Sequence, residues 1–227
     1  MITIKNLCFS YDDNRIIENL NVSFNENSIN CILGSSGSGK STLLNLVCGI
    51  NKNYSGIIES KGDSFSYVFQ SPTLIPWLTI YENMNFALKH VIPGADIHKK
   101  IEHYLNLVDL LEYKDMFPHE LSGGMKQRVS IARAFAFPSN YLLMDEPFTG
   151  LNASLKKSLK EIFIKLWSME KKTVLLVTHD IEEALSLSKN IYVIKKKPVT
   201  ELLKFSINTP LGSEELKLFK KQLLHYL

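Results

Sequence analysis

Eight consecutive residues, Gly34, Ser35, Ser36, Gly37, Ser38, Gly39, Lys40 and Ser41, follow the spacing G-x-x-x-x-G-K-[ST], that of a loop which holds the phosphates of a nucleotide. Glycines let the chain curl so that several backbone N–H groups face one centre, and the start of a following helix adds partial positive charge. Lys40 can then reach the outer phosphates, and Ser41 can ligate Mg²⁺. An ordinary Gly/Ser turn could carry the same letters. The flanks argue against it: the apolar run from Ile29 to Leu33 reads as a strand, and Thr42 to Cys48 as a helix. Strand, glycine loop and helix are the context such a site needs.

A second group of residues could act on the phosphates. Tyr141-Leu-Leu-Met144 is a buried-strand run ending in Asp145 and Glu146, with Pro147 behind them. That is the pattern of a Walker B segment: Asp145 holds the metal through water, and Glu146 orients and polarises the attacking water. Further on, Thr173 to Thr178 reads as another buried strand with His179 at its C-terminal end. Open α/β sheets bind ligands at that end of their strands. A lone histidine is as often a plain surface residue, so this reading rests on the place of His179 in the series.

The series resembles that of the nucleotide-binding subunits of ABC transporters, and the resemblance covers nearly the whole chain. Leu121-Ser-Gly-Gly-Met-Lys-Gln-Arg128 resembles the family's signature motif, and Gln70 the glutamine that touches Mg²⁺ and the attacking water. His179 matches the switch histidine, and Tyr11 the aromatic that stacks on adenine. The nucleotide contacts then comprise Tyr11, Gly34 through Thr42, and Ser122, Gly123 and Gly124. The catalytic set is Lys40, Gln70, Glu146 and His179, and the Mg²⁺ ligands are Ser41, Gln70 and Asp145. One position departs from the pattern: Asn152 stands where the family usually has an aspartate that couples the two ATP sites, keeping a hydrogen-bonding oxygen without the charge.

Certain elements must position these residues. Residues 1–33 alternate as strands, with polar turns at 12–14 and 25–27, and two short strands lie between Gly56 and Gln70. A helical pattern follows: Ile80–His90, Asp96–Leu111, then a helix entered through Ser122 as N-cap, whose first amides Gly123 and Gly124 leave open to phosphate. Strands and helices then alternate over 141–194, which implies a mostly parallel sheet, and the tail 213–227 has a helical apolar face of Leu216, Phe219, Leu223 and Leu224. The fold expected is α/β, a P-loop NTPase (RecA-like) core with a small antiparallel β subdomain and an inserted helical lobe. The domain is expected to span 1–227, its core 1–70 and 139–227, its lobe 71–138.

Composition agrees. The 227 residues are 45% hydrophobic and 22% charged, as in one compact domain. No apolar run reaches the ~18 residues that cross a bilayer, and the N-terminus does not read as a signal peptide, so transport requires separate membrane subunits. Cys8, Cys31 and Cys48 show no metal spacing and read as reduced core residues. A net charge of +3 is too small to argue for nucleic acid. Lys195, Lys196 and Lys197 read as a solvated turn.

The resemblance further implies partners. Two copies would pair head to tail around two ATP molecules, each signature closing on the other's nucleotide, at the cytoplasmic face of the membrane beside permease subunits and an extracytoplasmic solute-binding protein. The segment Leu74-Ile-Pro-Trp77 and the pair Lys197-Pro198 are similar to segments of importers for nitrate, sulfonates, taurine and thiamine-precursor pyrimidines. The alternative is the ATPase of an exporter, or an ABC ATPase without a transport role.

Overall fold

The structure, a computed structural model, describes residues 1–62, 64–207 and 213–226. In chain order the first elements are β1 (Ile2–Tyr11), β2 (Asn14–Phe24), β3 (Ile29–Leu33), α1 (Lys40–Val47), β4 (Ser55–Glu59) and β5 (Phe65–Val68). Then come α2 (Ile80–Leu88), α3 (Gly94–Leu107), α4 (Gly123–Ala136), β6 (Tyr141–Asp145) and α5 (Ala153–Glu170). The chain ends with β7 (Thr173–Thr178), α6 (Ile181–Leu187), β8 (Asn190–Val193), β9 (Leu203–Ser206) and α7 (Ser213–His225). It divides into two compact units, residues 1–63 with 172–227, and residues 64–171.

In the first unit, β3, β7 and β8 are buried at every residue, as expected of parallel strands covered on both faces. They pair in the order β7-β3-β8, all parallel, and β9 adds an antiparallel edge. Helix α1 packs on β7, and α6 on β3 and β7. A separate antiparallel sheet runs β2-β1-β4. Its β1 carries Ile2, Ile4, Leu7 and Phe9 inward against solvent-facing neighbours, with irregular register past Ile4 that bends the strand. Helix α7 buries Leu223 and sets Phe219 edge-on to Phe205, with ring centroids 5.9 Å apart. Leu216 and Leu224 remain exposed, so the inward face is narrower than the apolar pattern suggests; Leu227 lies outside the described residues.

In the second unit, β5 and β6 are parallel neighbours, with Val68 opposite Met144. Helix α4 packs on α2, α3, α5 and β5, because its small and apolar residues, Val129, Ile131, Ala132 and Phe135, are buried. Helix α3 stops at Leu107 rather than continuing to Leu111. Asp109 is left-handed at φ 58°, and the Leu110 N–H turns back to the Leu105 carbonyl at 2.9 Å, a closing bond that ends a helix. Of the three cysteines, all free, Cys31 alone is fully buried; Cys8 and Cys48 are half-buried, which narrows the expected core role to one residue.

Candidate functional site

The glycine loop leaves β3 and enters α1, and its form depends on missing side chains. A Cβ on Gly34 would lie 2.7 Å from Ser38 Oγ and 3.2 Å from Ile194 Cβ. Gly39 caps α1 at φ 102°, and a Cβ there would lie 3.1 Å from Ile16. Helices α2, α4, α5 and α6 each have a side-chain cap, from Thr79, Ser122, Asn152 and Asp180. Helix α1 has no side-chain cap and no acid in its first turn, so no carboxylate of its own offsets the positive end of its dipole.

Two side chains complete the cradle. Lys40 is 4% exposed and donates to the carbonyls of Gly34 at 2.9 Å and Ser35 at 2.8 Å. Ser38 is 7% exposed, and its hydroxyl finds no partner among the described residues. A buried unpaired hydroxyl is costly; an anionic oxygen in the loop would satisfy it. Ser41 is exposed and Thr42 half-buried at the start of α1. The arrangement suits phosphate.

His179 stands at the same edge. Thr178 is the register partner of Leu33, and its carbonyl accepts the Gly34 N–H at 3.3 Å. The exposed His179 therefore follows directly on the residue that holds the start of the loop. Tyr11 is the last residue of β1. Its hydroxyl accepts from Asn51 Nδ2 at 3.0 Å, and its ring stands edge-on to Phe9. Asn51 follows the C-terminal end of α1, whereas the glycine loop opens its N-terminal end.

In the second unit, Gln70 and Glu146 each follow by two residues the paired Val68 and Met144, so both emerge at one end of the β5–β6 pair. Asp145 and Glu146 are half-buried. Glu146 adopts a left-handed φ of 43°, uncommon for a residue with a side chain and typical of functional positions. Its carboxylate accepts from Thr149 Oγ1 at 3.2 Å. Asp145 and Gln70 offer hard oxygen donors without thiol or imidazole, a set that fits Mg²⁺.

The signature segment opens α4. Ser122 Oγ accepts the Met125 N–H, as expected of the N-cap. A Cβ on Gly123 would meet nothing within 4 Å, but one on Gly124 would lie 2.5 Å from Leu155 Cδ1. The two glycines thus differ: Gly123 is open, and Gly124 admits Leu155. Gln127 Nε2 donates to the Pro147 carbonyl at 2.8 Å, tying α4 to the carboxylate segment. Asn152 Oδ1 accepts the Leu155 N–H at 2.9 Å as N-cap of α5, a task an aspartate would perform equally.

Sequence reasoning missed Ile16, Ile194 and Val199, which floor the glycine loop. It also missed Gln127 as a tie to Pro147. Aliphatic residues distant in sequence carry no local signal; Gln127, inside the signature, did.

Comparison with known proteins agrees with this geometry. Residues 17–149 match the ABC transporter family. The chain is 38% identical over 209 residues to the nitrate import ATP-binding protein NrtD of Synechocystis sp., covering 88% of this chain and 77% of that protein. It is 36% identical over 206 residues to the aliphatic sulfonates import ATP-binding protein SsuB of Bacillus subtilis, covering 87% and 80%. Among solved structures, cbiO1 from Clostridium perfringens, part of the ABC transporter complex cbiONQ, superposes with a TM-score of 0.82 at 24% identity. That likeness, over 98% of this chain and 92% of the other, is one of fold. The chain belongs to the ABC transporter family, as one of its ATP-binding, ATP-hydrolysing subunits.

Proposed function

We propose that this subunit powers import of a small solute through separate permease subunits, working as a head-to-tail homodimer that encloses two ATP molecules. The observation that carries the nucleotide reading is the glycine loop with its uncapped α1 and the unpartnered Ser38 hydroxyl. In this reading residues 1–227 form one nucleotide-binding domain, with a core of 1–70 and 139–227 and a lobe of 71–138. Gly34 through Thr42 bind the phosphates, Lys40 neutralises their charge, and Tyr11 stacks on adenine. Glu146 orients and polarises the attacking water, with Gln70 beside it, and His179 contacts the terminal phosphate. Ser41, Gln70 and Asp145 hold Mg²⁺, which when bound supplies charge neutralisation on the phosphate oxygens.

Ser122, Gly123 and Gly124 cap the nucleotide held by the second copy. ATP binding closes the dimer and excludes water, which strengthens stabilisation by Lys40 and His179. Hydrolysis releases it, and the motion is transmitted to the permease. The dimer works at the cytoplasmic face as a peripheral subunit; among the described residues no helix is long and apolar enough to cross a membrane. The similarity to nitrate and sulfonate import proteins supports a small anionic cargo, delivered by an extracytoplasmic solute-binding protein.

The test is reconstitution with the permease subunits that co-purify with it, in vesicles of known orientation. ATP-dependent uptake of labelled nitrate or a small sulfonate from the side opposite the ATPase supports the proposal. Efflux alone assigns an exporter, and ATP hydrolysis that moves no solute in either direction rejects transport.

A further inference from the structure

Thr178 and Glu183 form a buried polar relay that the proposed chemistry does not use. Both are almost inaccessible to solvent. Thr178 Oγ1 accepts the Asp180 N–H at 3.0 Å and donates to Glu183 Oε2 at 2.6 Å. A carboxylate taken out of water is costly unless it is well bonded, so its placement calls for a reason. Helix capping is not that reason. Asp180 already caps α6, its Oδ1 accepting the Glu182 N–H at 2.8 Å and the Glu183 N–H at 3.3 Å.

What the relay does is visible in the chain on either side of His179. Before it, the Thr178 carbonyl takes the Gly34 N–H, so this residue is fixed to the start of the phosphate loop. After it, the Asp180 N–H is fixed to the Thr178 hydroxyl, and that hydroxyl to Glu183. His179 is itself exposed, carried on backbone immobilised at both ends.

Resting on the assignment of His179 to the terminal phosphate, we propose that Thr178 and Glu183 are positioning residues for His179. The relay from Asp180 through Thr178 to Glu183 orders the histidine backbone against the phosphate loop before ATP arrives. Ordering in advance matters most in the transition state, where a small misplacement of a catalytic group lowers the rate by up to about 10². Nucleotide affinity, set by the glycine loop, should hardly respond.

The experiment is steady-state ATPase of the full chain for Thr178→Val, Thr178→Ser, Glu183→Leu, Glu183→Gln, His179→Ala and the double variant His179→Ala/Thr178→Val, with thermal melting of each. Thr178→Val and Glu183→Leu should lower kcat by about 10- to 100-fold and leave KM for ATP within about threefold. Thr178→Ser keeps the hydroxyl and Glu183→Gln keeps an acceptor, so both should restore most of the rate. In the His179→Ala background, adding Thr178→Val should change kcat by less than about twofold, because the group being positioned is gone. A near wild-type kcat for Thr178→Val overturns the proposal, as does a full multiplicative loss in the double variant. Should Glu183→Leu fail to fold, the Thr178 series and the double variant decide alone. If His179→Ala retains wild-type kcat, the His179 assignment itself falls, and the positioning role with it.

Discussion

Arg133 Nη1 donates to the Thr73 carbonyl at 2.9 Å, and Nη2 to the Thr73 hydroxyl at 3.2 Å. The segment that follows Gln70 is thereby fastened to the helix that Ser122 begins, and a displacement of one is felt by the other. Burial lowers the Arg133 pKa, yet an arginine stays charged, and its planar fork suits the two acceptors. Lysine has no fork. Arg133→Lys should therefore lower the melting temperature by about 2–4 °C, the shift expected for roughly 1 kcal/mol in a chain of this size. Hydrogen exchange should quicken at amides between Ser71 and Leu78. Unchanged exchange there would show that the segment is held by something other than Arg133.

Lys40→Ala removes the cation whose ammonium lies between the Gly34 and Ser35 carbonyls and the expected phosphates. ATP affinity should fall at least about tenfold, a loss of ~1.4 kcal/mol. Isothermal titration with ATP against the unchanged protein checks it. Equal affinity would remove the loop from the nucleotide site.

Glu146→Gln keeps the shape and hydrogen-bonding capacity of the side chain that Thr149 contacts, but not its basicity. ATP binding should persist while turnover falls roughly 10²–10³-fold, the scale of losing a positioned catalytic group. A dimer should then accumulate with ATP on size-exclusion chromatography. Turnover near that of the unchanged protein would reject Glu146 as the group that activates water.

Gly123 and Gly124 look alike in sequence and differ in the structure. At Gly123 a methyl meets open space, and alanine in a first helical turn is, if anything, favourable by up to about 1 kcal/mol. At Gly124 a methyl would overlap Leu155, and overpacking costs about 1–3 kcal/mol. Melting curves should show Gly123→Ala unchanged or raised and Gly124→Ala lowered, while both reduce ATP-dependent dimer formation. Equal melting temperatures would mean that Leu155 yields freely.

What was legible in the sequence depended on contiguity. The glycine loop, the carboxylates after an apolar run and the Ser122 cap are encoded within a few residues, and each appears where its letters placed it. Contacts between distant segments were not legible, such as Ile16 and Val199 beneath Gly39 or Gln127 reaching Pro147. Strand β9 was missed as well. Leu203–Ser206 alternates half-buried with exposed residues, a weak pattern for an edge strand, and shortly before it Val199 makes a single bridge to Ile17. The same limit applies to Thr178 and Glu183: two polar residues five apart show nothing until a strand end and a helix start are brought together.

Trp77 presents the opposite case, a large apolar side chain left 75% exposed by a loop that is itself firmly held. Asn83, 1% exposed, accepts the Ile75 N–H at 2.7 Å. Its amide also donates to the carbonyls of Ile75, Leu78 and Thr79 at 3.1, 3.0 and 2.9 Å. Thr79 and Glu82 close the loop with a reciprocal capping box. A rigid loop that displays a tryptophan has the form of an interface anchor, since exposed aromatics of this kind dominate binding energies. Trp77→Ala should leave the isolated subunit's melting within about 0.5 kcal/mol of the unchanged protein and nucleotide affinity intact, as for surface substitutions generally. Asn83→Ala, by contrast, strands several backbone groups and should lose about 1–3 kcal/mol. Both variants should co-purify poorly with the permease subunits, or hydrolyse ATP without transport. If Trp77→Ala unfolds the isolated subunit, the side chain serves the lobe's own packing. If assembly and transport are both untouched, the loop docks nothing, and its rigidity must serve Gln70 instead.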